Sequence, residues 1–118
     1  DWGLGRWKTC HMDRTTEIYS VDTTIATRDE SIEAISLSSN EKIQFLPIEV
    51  NQKYQNVLGL GAYSCSLATI TNANFKGLSK LRFINLNNNE INKIASNVFH
   101  DLIALEQVHL GKFKFNQF

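Results

Sequence analysis

Apolar residues in this chain return at a fixed interval of 24 positions. Starting from Leu81 they fall at Leu81, Ile84, Leu86, Ile91, Ile94, Phe99 and Leu102, with Asn89 as the one polar member, and the series restarts at Leu105, Val108 and Leu110. One interval upstream the same template is filled by Val57, Leu60, Ala62, Cys65, Leu67, Ile70, Phe75 and Leu78. A looser copy runs Ile32, Ile35, Leu37, Asn40, Ile43, Leu46, Val50, Tyr54; it is one residue longer, with the extra residue between Asn40 and Ile43. Together the copies use ten of the twelve leucines and seven of the eleven isoleucines, so one repeating unit supplies most of the core-forming side chains.

Each segment of the unit implies a local shape. Two apolar positions two residues apart, such as Ile84 and Leu86, share a face in an extended strand, and that face becomes the interior. The chain must then turn, and a side-chain amide at Asn89 can pair the backbone groups that leave the strand ladder. Cys65 holds that place one unit earlier; a buried structural thiol fits it, with a reactive or disulfide-bonded cysteine as the alternative. Phe75 and Phe99 each precede a leucine by three, the spacing of a short helical turn that closes the core on the far side of the unit.

The spacing resembles the leucine-rich repeat, L-x-x-L-x-L-x-x-N/C-x-L, extended by the I-x-x-x-x-F-x-x-L segment of its 24-residue class. The resemblance runs from about residue 32 to 110 and is strongest in LRFINLNNNEINKIASNVFHDLIAL, residues 81–105. It is similar to secreted proteins of dipteran insects and to Toll-like receptor ectodomains. It implies an α/β solenoid, a right-handed coil with a parallel concave sheet and short helical or 3-10 turns on the convex side. The units are expected over 32–56, 57–80 and 81–104, with a partial one over 105–118.

A solenoid needs its ends covered. Residues 1–31 fall outside the repeat, and the alternation in Thr16-Glu17-Ile18-Tyr19-Ser20-Val21 and Thr24-Ile25-Ala26-Thr27 predicts two strands turning near Asp22, a β-hairpin cap. Trp2 and Trp7 are candidate cover for the first coil. Caps in secreted relatives usually carry paired cysteines, whereas Cys10 has no evident partner and Ser20 stands where one is expected; Cys10 is read either as free or as pairing elsewhere. At the other end Phe113 replaces the turn asparagine, and Phe115 and Phe118 follow. That apolar edge predicts either further repeats in a longer parent protein or pairing with another molecule.

Composition narrows the function. Twelve basic and twelve acidic residues cancel; the first sixty residues carry nine acids and six bases and the remainder three and six, too slight an imbalance to predict a nucleic-acid or anionic-membrane partner. No apolar run is long enough to span a bilayer. The twelve asparagines, several beside Leu and Ile, are partly explained as turn residues of the coils. His11, His100 and His109 lack companions at metal-ligand spacing, Gly59-Leu60-Gly61 lacks the lysine or helix start that phosphate binding needs, and no nucleophile motif occurs. No enzyme, cofactor or metal is therefore predicted. No Asn-X-Ser/Thr acceptor occurs, which favours a non-secreted or unglycosylated protein, while the resemblance implies an extracellular one, either secreted or a receptor ectodomain.

Function is thus expected on a surface. Residues alternating with the inward ones face out across the sheet: Ala34, Ser36 and Ser38; Gly59, Gly61 and Tyr63; Phe83, Asn85 and Asn87; Gln107 and His109. Phe83 and Tyr63 are the expected exposed anchors, with Ser36, Ser38, Asn85, Asn87, Gln107 and His109 supplying hydrogen bonds. The reading is a non-enzymatic recognition module that binds a protein ligand or co-receptor through the concave sheet, with innate-immune or receptor roles implied by the resemblance. The alternative is a structural module that stacks or dimerises through Phe113, Phe115 and Phe118.

Overall fold

The computed structural model describes residues 7–11, 32–46 and 54–111. Five short strands lie side by side in chain order: β1 (Thr9–His11), β2 (Ala34–Ser36), β3 (Gly59–Gly61), β4 (Phe83–Asn85) and β5 (Gln107–His109). Every neighbouring pair is parallel. The central partners run Cys10, Ile35, Leu60, Ile84, Val108, so each strand advances 25, 25, 24 and then 24 residues along the chain. A parallel pair cannot be joined by a tight turn, so each interval is spent travelling away from the sheet and back, and the returning segments enclose the core. The strand ladder continues past the strand ends, for instance from the Leu37 N–H to the Gly61 carbonyl and from the Ala62 N–H to the Asn85 carbonyl.

The core is the one the periodicity predicts. Ile35, Leu37, Leu60, Ala62, Ile84 and Leu86 point inward from the sheet, and Leu67, Ile70, Phe75, Leu78, Leu81, Ile91, Ile94 and Leu102 meet them from the return segments. Phe75 is fully buried, its ring 5.5 Å from that of the half-buried Phe99 one coil on. These rings fill the space opposite the sheet, where a 3-10 turn (Asn72–Phe75) forms. Where the next coil has the buried Val98, that turn has Asn74. It is buried, accepts the Thr71 N–H at 2.8 Å and donates to the Leu46 carbonyl of the preceding coil at 3.2 Å, so a side chain that repels a core position is kept there by its two bonds.

The turn after each strand repeats as well. Ser39, Ser64 and Asn88 all adopt left-handed backbone, with φ of 63°, 55° and 58°. Each immediately precedes the turn position held by Asn40, Cys65 or Asn89. The Asn89 side-chain Oδ1 accepts the Leu67 N–H at 3.1 Å, and its Nδ2 donates to the carbonyls of Ala62 at 2.7 Å and Leu86 at 3.0 Å. Cys65 reproduces part of this: its thiol donates to the Leu37 carbonyl, the counterpart of Ala62, at 3.2 Å. It is a free, buried cysteine, as its place in the turn predicts. Burial pushes its thiol above the ordinary value, against a smaller downward pull from the backbone of Asn40 and Ser39.

Two features depart from expectation. A strand at Thr9–His11 lies within the segment assigned to the cap, and it extends the parallel ladder. Trp7 does not cover the end of the core; it lies on the outer face of the sheet against Phe83. The hairpin expected near Asp22, Trp2, the Cys10 side chain, and Phe113, Phe115 and Phe118 lie outside the described residues.

Candidate recognition face

Alternation within the strands places two rows of residues on the outer face. One row is Thr9, Ala34, Gly59, Phe83, Gln107; the other passes through Ser36, Gly61, Asn85 and His109. Beyond the strand ends Ser38, Tyr63 and Asn87 form a third row at matching positions.

The expectation that Phe83 is an exposed anchor is corrected: it is only 6% exposed. The cause lies in its neighbours along the row. Gly59 and Ala34 leave a low strip beside it, and the Trp7 indole reaches over that strip to within 6.5 Å of the Phe83 ring, at an interplanar angle of 56°. Ala34, Phe83 and Trp7 form a second apolar cluster, separate from the main core. His109 borders it on the other side, its ring 5.2 Å from that of Phe83. This sheet is apolar on both sides at its centre, which is common for parallel sheets and invisible to a template that reads one inward face.

Ser36 and Asn85 are also buried, 5% and 2% exposed, and are corrected likewise. The Asn85 side-chain oxygen accepts the Asn87 N–H at 3.0 Å, and Ser36 Oγ accepts the Ser38 N–H at 3.4 Å. Both serve the turn two residues on, a habit of short polar side chains at strand ends. Ser38 is half-buried and its hydroxyl accepts the Tyr63 N–H of the next coil at 3.2 Å. Gln107 and His109 are exposed, and Tyr63 and Asn87 are half-exposed. The predicted patch therefore divides: Ser36, Ser38 and Asn85 hold the scaffold, while Tyr63, Asn87, Gln107 and His109 reach solvent around the ring cluster. Trp7 was not assigned to this face; stepping back 25 residues from Ile35 to Cys10 reveals the strand that carries it here.

At the strand entries Arg82 pairs with Glu106 at 2.9 Å, an exposed contact of small energetic weight. Among the described residues no group of His, Cys, Asp and Glu could hold a metal ion, and no helix is long and apolar enough to cross a membrane. The face offers rings, amides and an imidazole, a chemistry suited to contact.

A family model described as leucine rich repeat matches residues 63–112. The fold is shared with a much longer chain in the structure described as the crystal structure of a TLR13-ssRNA13 complex. That match has a TM-score of 0.64 at 21% identity and covers 71% of this chain and 12% of that one. No curated protein matches the chain. The family model covers 50 of the 118 residues, and the structural match shows a shared solenoid fold.

Proposed function

We propose that the chain is a non-enzymatic recognition module, part of an extracellular innate-immune or receptor-like protein, that binds a protein partner through the concave outer face of its sheet. The observation that carries this reading is the composition of that face. Tyr63, Asn87, Gln107 and His109 surround a ring cluster at the middle of a five-stranded platform whose backbone is already paired. Rigid rings with amide donors and acceptors around them are the usual makings of a protein-binding centre. The platform costs little to hold in place, because its strands are fixed by the core beneath.

Photo-crosslinking tests it. A benzophenone amino acid at position 63 or 107 should capture one partner from the native source, and the same probe at Lys93, which is exposed and outside the strand rows, should not. Capture from Lys93 alone would remove the face from consideration.

A second reading, assembly through the β5 end, has its own observation. Leu105, Val108 and Leu110 are only partly covered there, and Ile103 is 86% exposed. Light scattering after size exclusion separates the two: a monomer at high concentration rules out assembly.

A further inference from the structure

We propose that the partner surface meeting this face is itself uncharged, a patch of amides, hydroxyls and rings, and that the face discriminates against charged surfaces. This rests on the reading that the face binds a protein, and it names the kind of protein surface taken.

The observation is where the charges lie. Among the described residues, the outward ones that reach solvent along the strand rows are Thr9, Ser38, Tyr63, Asn87, Gln107 and His109. All are polar, and none is a carboxylate, an ammonium or a guanidinium. The margin just past the strands continues in kind, with Ser39, Ser64 and Asn88 at the three left-handed turns. One residue in five of the chain is charged, and these residues are placed elsewhere. Lys42, Lys76, Lys80, Lys93 and Asp101 are exposed on segments outside the sheet. The charges nearest the face stand at the strand entries and are engaged within the chain: Glu33 Oε1 accepts the Lys8 N–H at 3.1 Å, and Arg82 Nε donates to Glu106 at 2.9 Å.

This segregation decides what can dock. A Lys or Asp of a partner brought onto the face would give up its water and meet no opposite charge, and a charge buried without a counter-charge opposes binding. A peptide group, a carboxamide or a hydroxyl loses far less, because the carboxamides of Asn87 and Gln107 and the hydroxyl of Tyr63 can each donate and accept. The Tyr63 ring, and the His109 imidazole 5.2 Å from Phe83, add flat area for a partner's rings.

The test reads how capture depends on charge. With the benzophenone amino acid at position 63, the yield of crosslinked partner at pH 8 should change by less than about twofold between roughly 50 and 500 mM sodium chloride, whereas a contact built on exposed ion pairs should lose about tenfold. Gln107→Glu and Gln107→Lys, each with its circular dichroism unchanged, should both reduce capture about tenfold, because either sign sets an unpaired charge against a neutral patch. A larger fall with salt, or a gain with either charge, overturns the proposal. So does capture that ignores both substitutions, since position 107 then lies outside the contact. The salt comparison needs no change at 107 and decides alone if those variants fail to fold. No capture at any salt removes the protein-binding reading and this inference together; salt-sensitive capture keeps the reading and removes the uncharged patch, so the two failures are distinguishable.

Discussion

Removing the side chain of Asn89 should cost far more than removing that of Cys65, although the two hold the same place in successive coils. Asn89 satisfies the Leu67 N–H and the carbonyls of Ala62 and Leu86. A typical intramolecular hydrogen bond contributes about 1 kcal/mol net, so Asn89→Ala loses about 3 kcal/mol. Water can reach this half-buried site and replace part of the loss, which sets a floor of about 2 kcal/mol. Cys65 places one weak donor on the Leu37 carbonyl, and Cys65→Ala should cost about 1 kcal/mol in bond and packing together. Urea unfolding followed by far-UV circular dichroism measures both, the slope of the transition serving as the check that the unfolded state is unchanged. An Asn89→Ala loss below that floor of about 2 kcal/mol at constant slope, or a Cys65→Ala loss as large as that of Asn89→Ala, would refute the view that the amide at this position ties coil to coil.

Three further outcomes follow from the turns and the thiol. Ser64→Asn places at φ 55° a residue that tolerates left-handed backbone better, as Asn88 does one coil on, and should raise stability by about 0.5 kcal/mol in the same assay. Gly111→Ala should destabilise by about 1–2 kcal/mol, because φ is +61° and the new methyl would lie 3.2 Å from Asn87 Oδ1; a neutral result would contradict that geometry. For Cys65, burial raises the thiol above its ordinary 9.0, so the folded state favours the protonated form. That contribution is complete below pH 9 and is lost as pH climbs through the raised value. In a Cys10→Ser background the urea midpoint should therefore fall from about pH 9 upward, and Cys65→Ala should remove this part of the fall; identical curves would exclude the thiol as its source.

Much of the scaffold was legible because its signal is periodic and local. The inward positions from Val57 to Leu102 and the turn role of Asn89 follow from strand alternation and a fixed interval, and the strands and core lie where these put them. The parts that escaped depend on contacts across coils. Phe83 is outward by alternation and still buried, because a tryptophan 76 positions earlier folds onto it past an alanine and a glycine. Ser36 and Asn85 were read as available donors and acceptors, whereas each is engaged by the backbone two residues ahead. Strand β1 contains no leucine or isoleucine, so the apolar template passed over it; only Cys10, opposite Ile35, keeps the register. Asn74 occupies a place that Val98 fills in the next coil, and its bond to Leu46 belongs to the neighbouring coil.

The even step of 24 or 25 residues between paired strands has a mechanical consequence. Among the described residues each strand pairs with the one before and the one after, and β1 is not paired with β5. Cohesion is therefore passed from coil to coil and is never closed into a ring. Drawn apart along the stacking direction, the molecule would part at one ladder at a time, each release freeing about two dozen residues of slack. It is built as a spring whose force is set by its weakest junction, and among the junctions between β2 and β5 the one to β5, whose strand is the least buried of those four, is where a turn would open first.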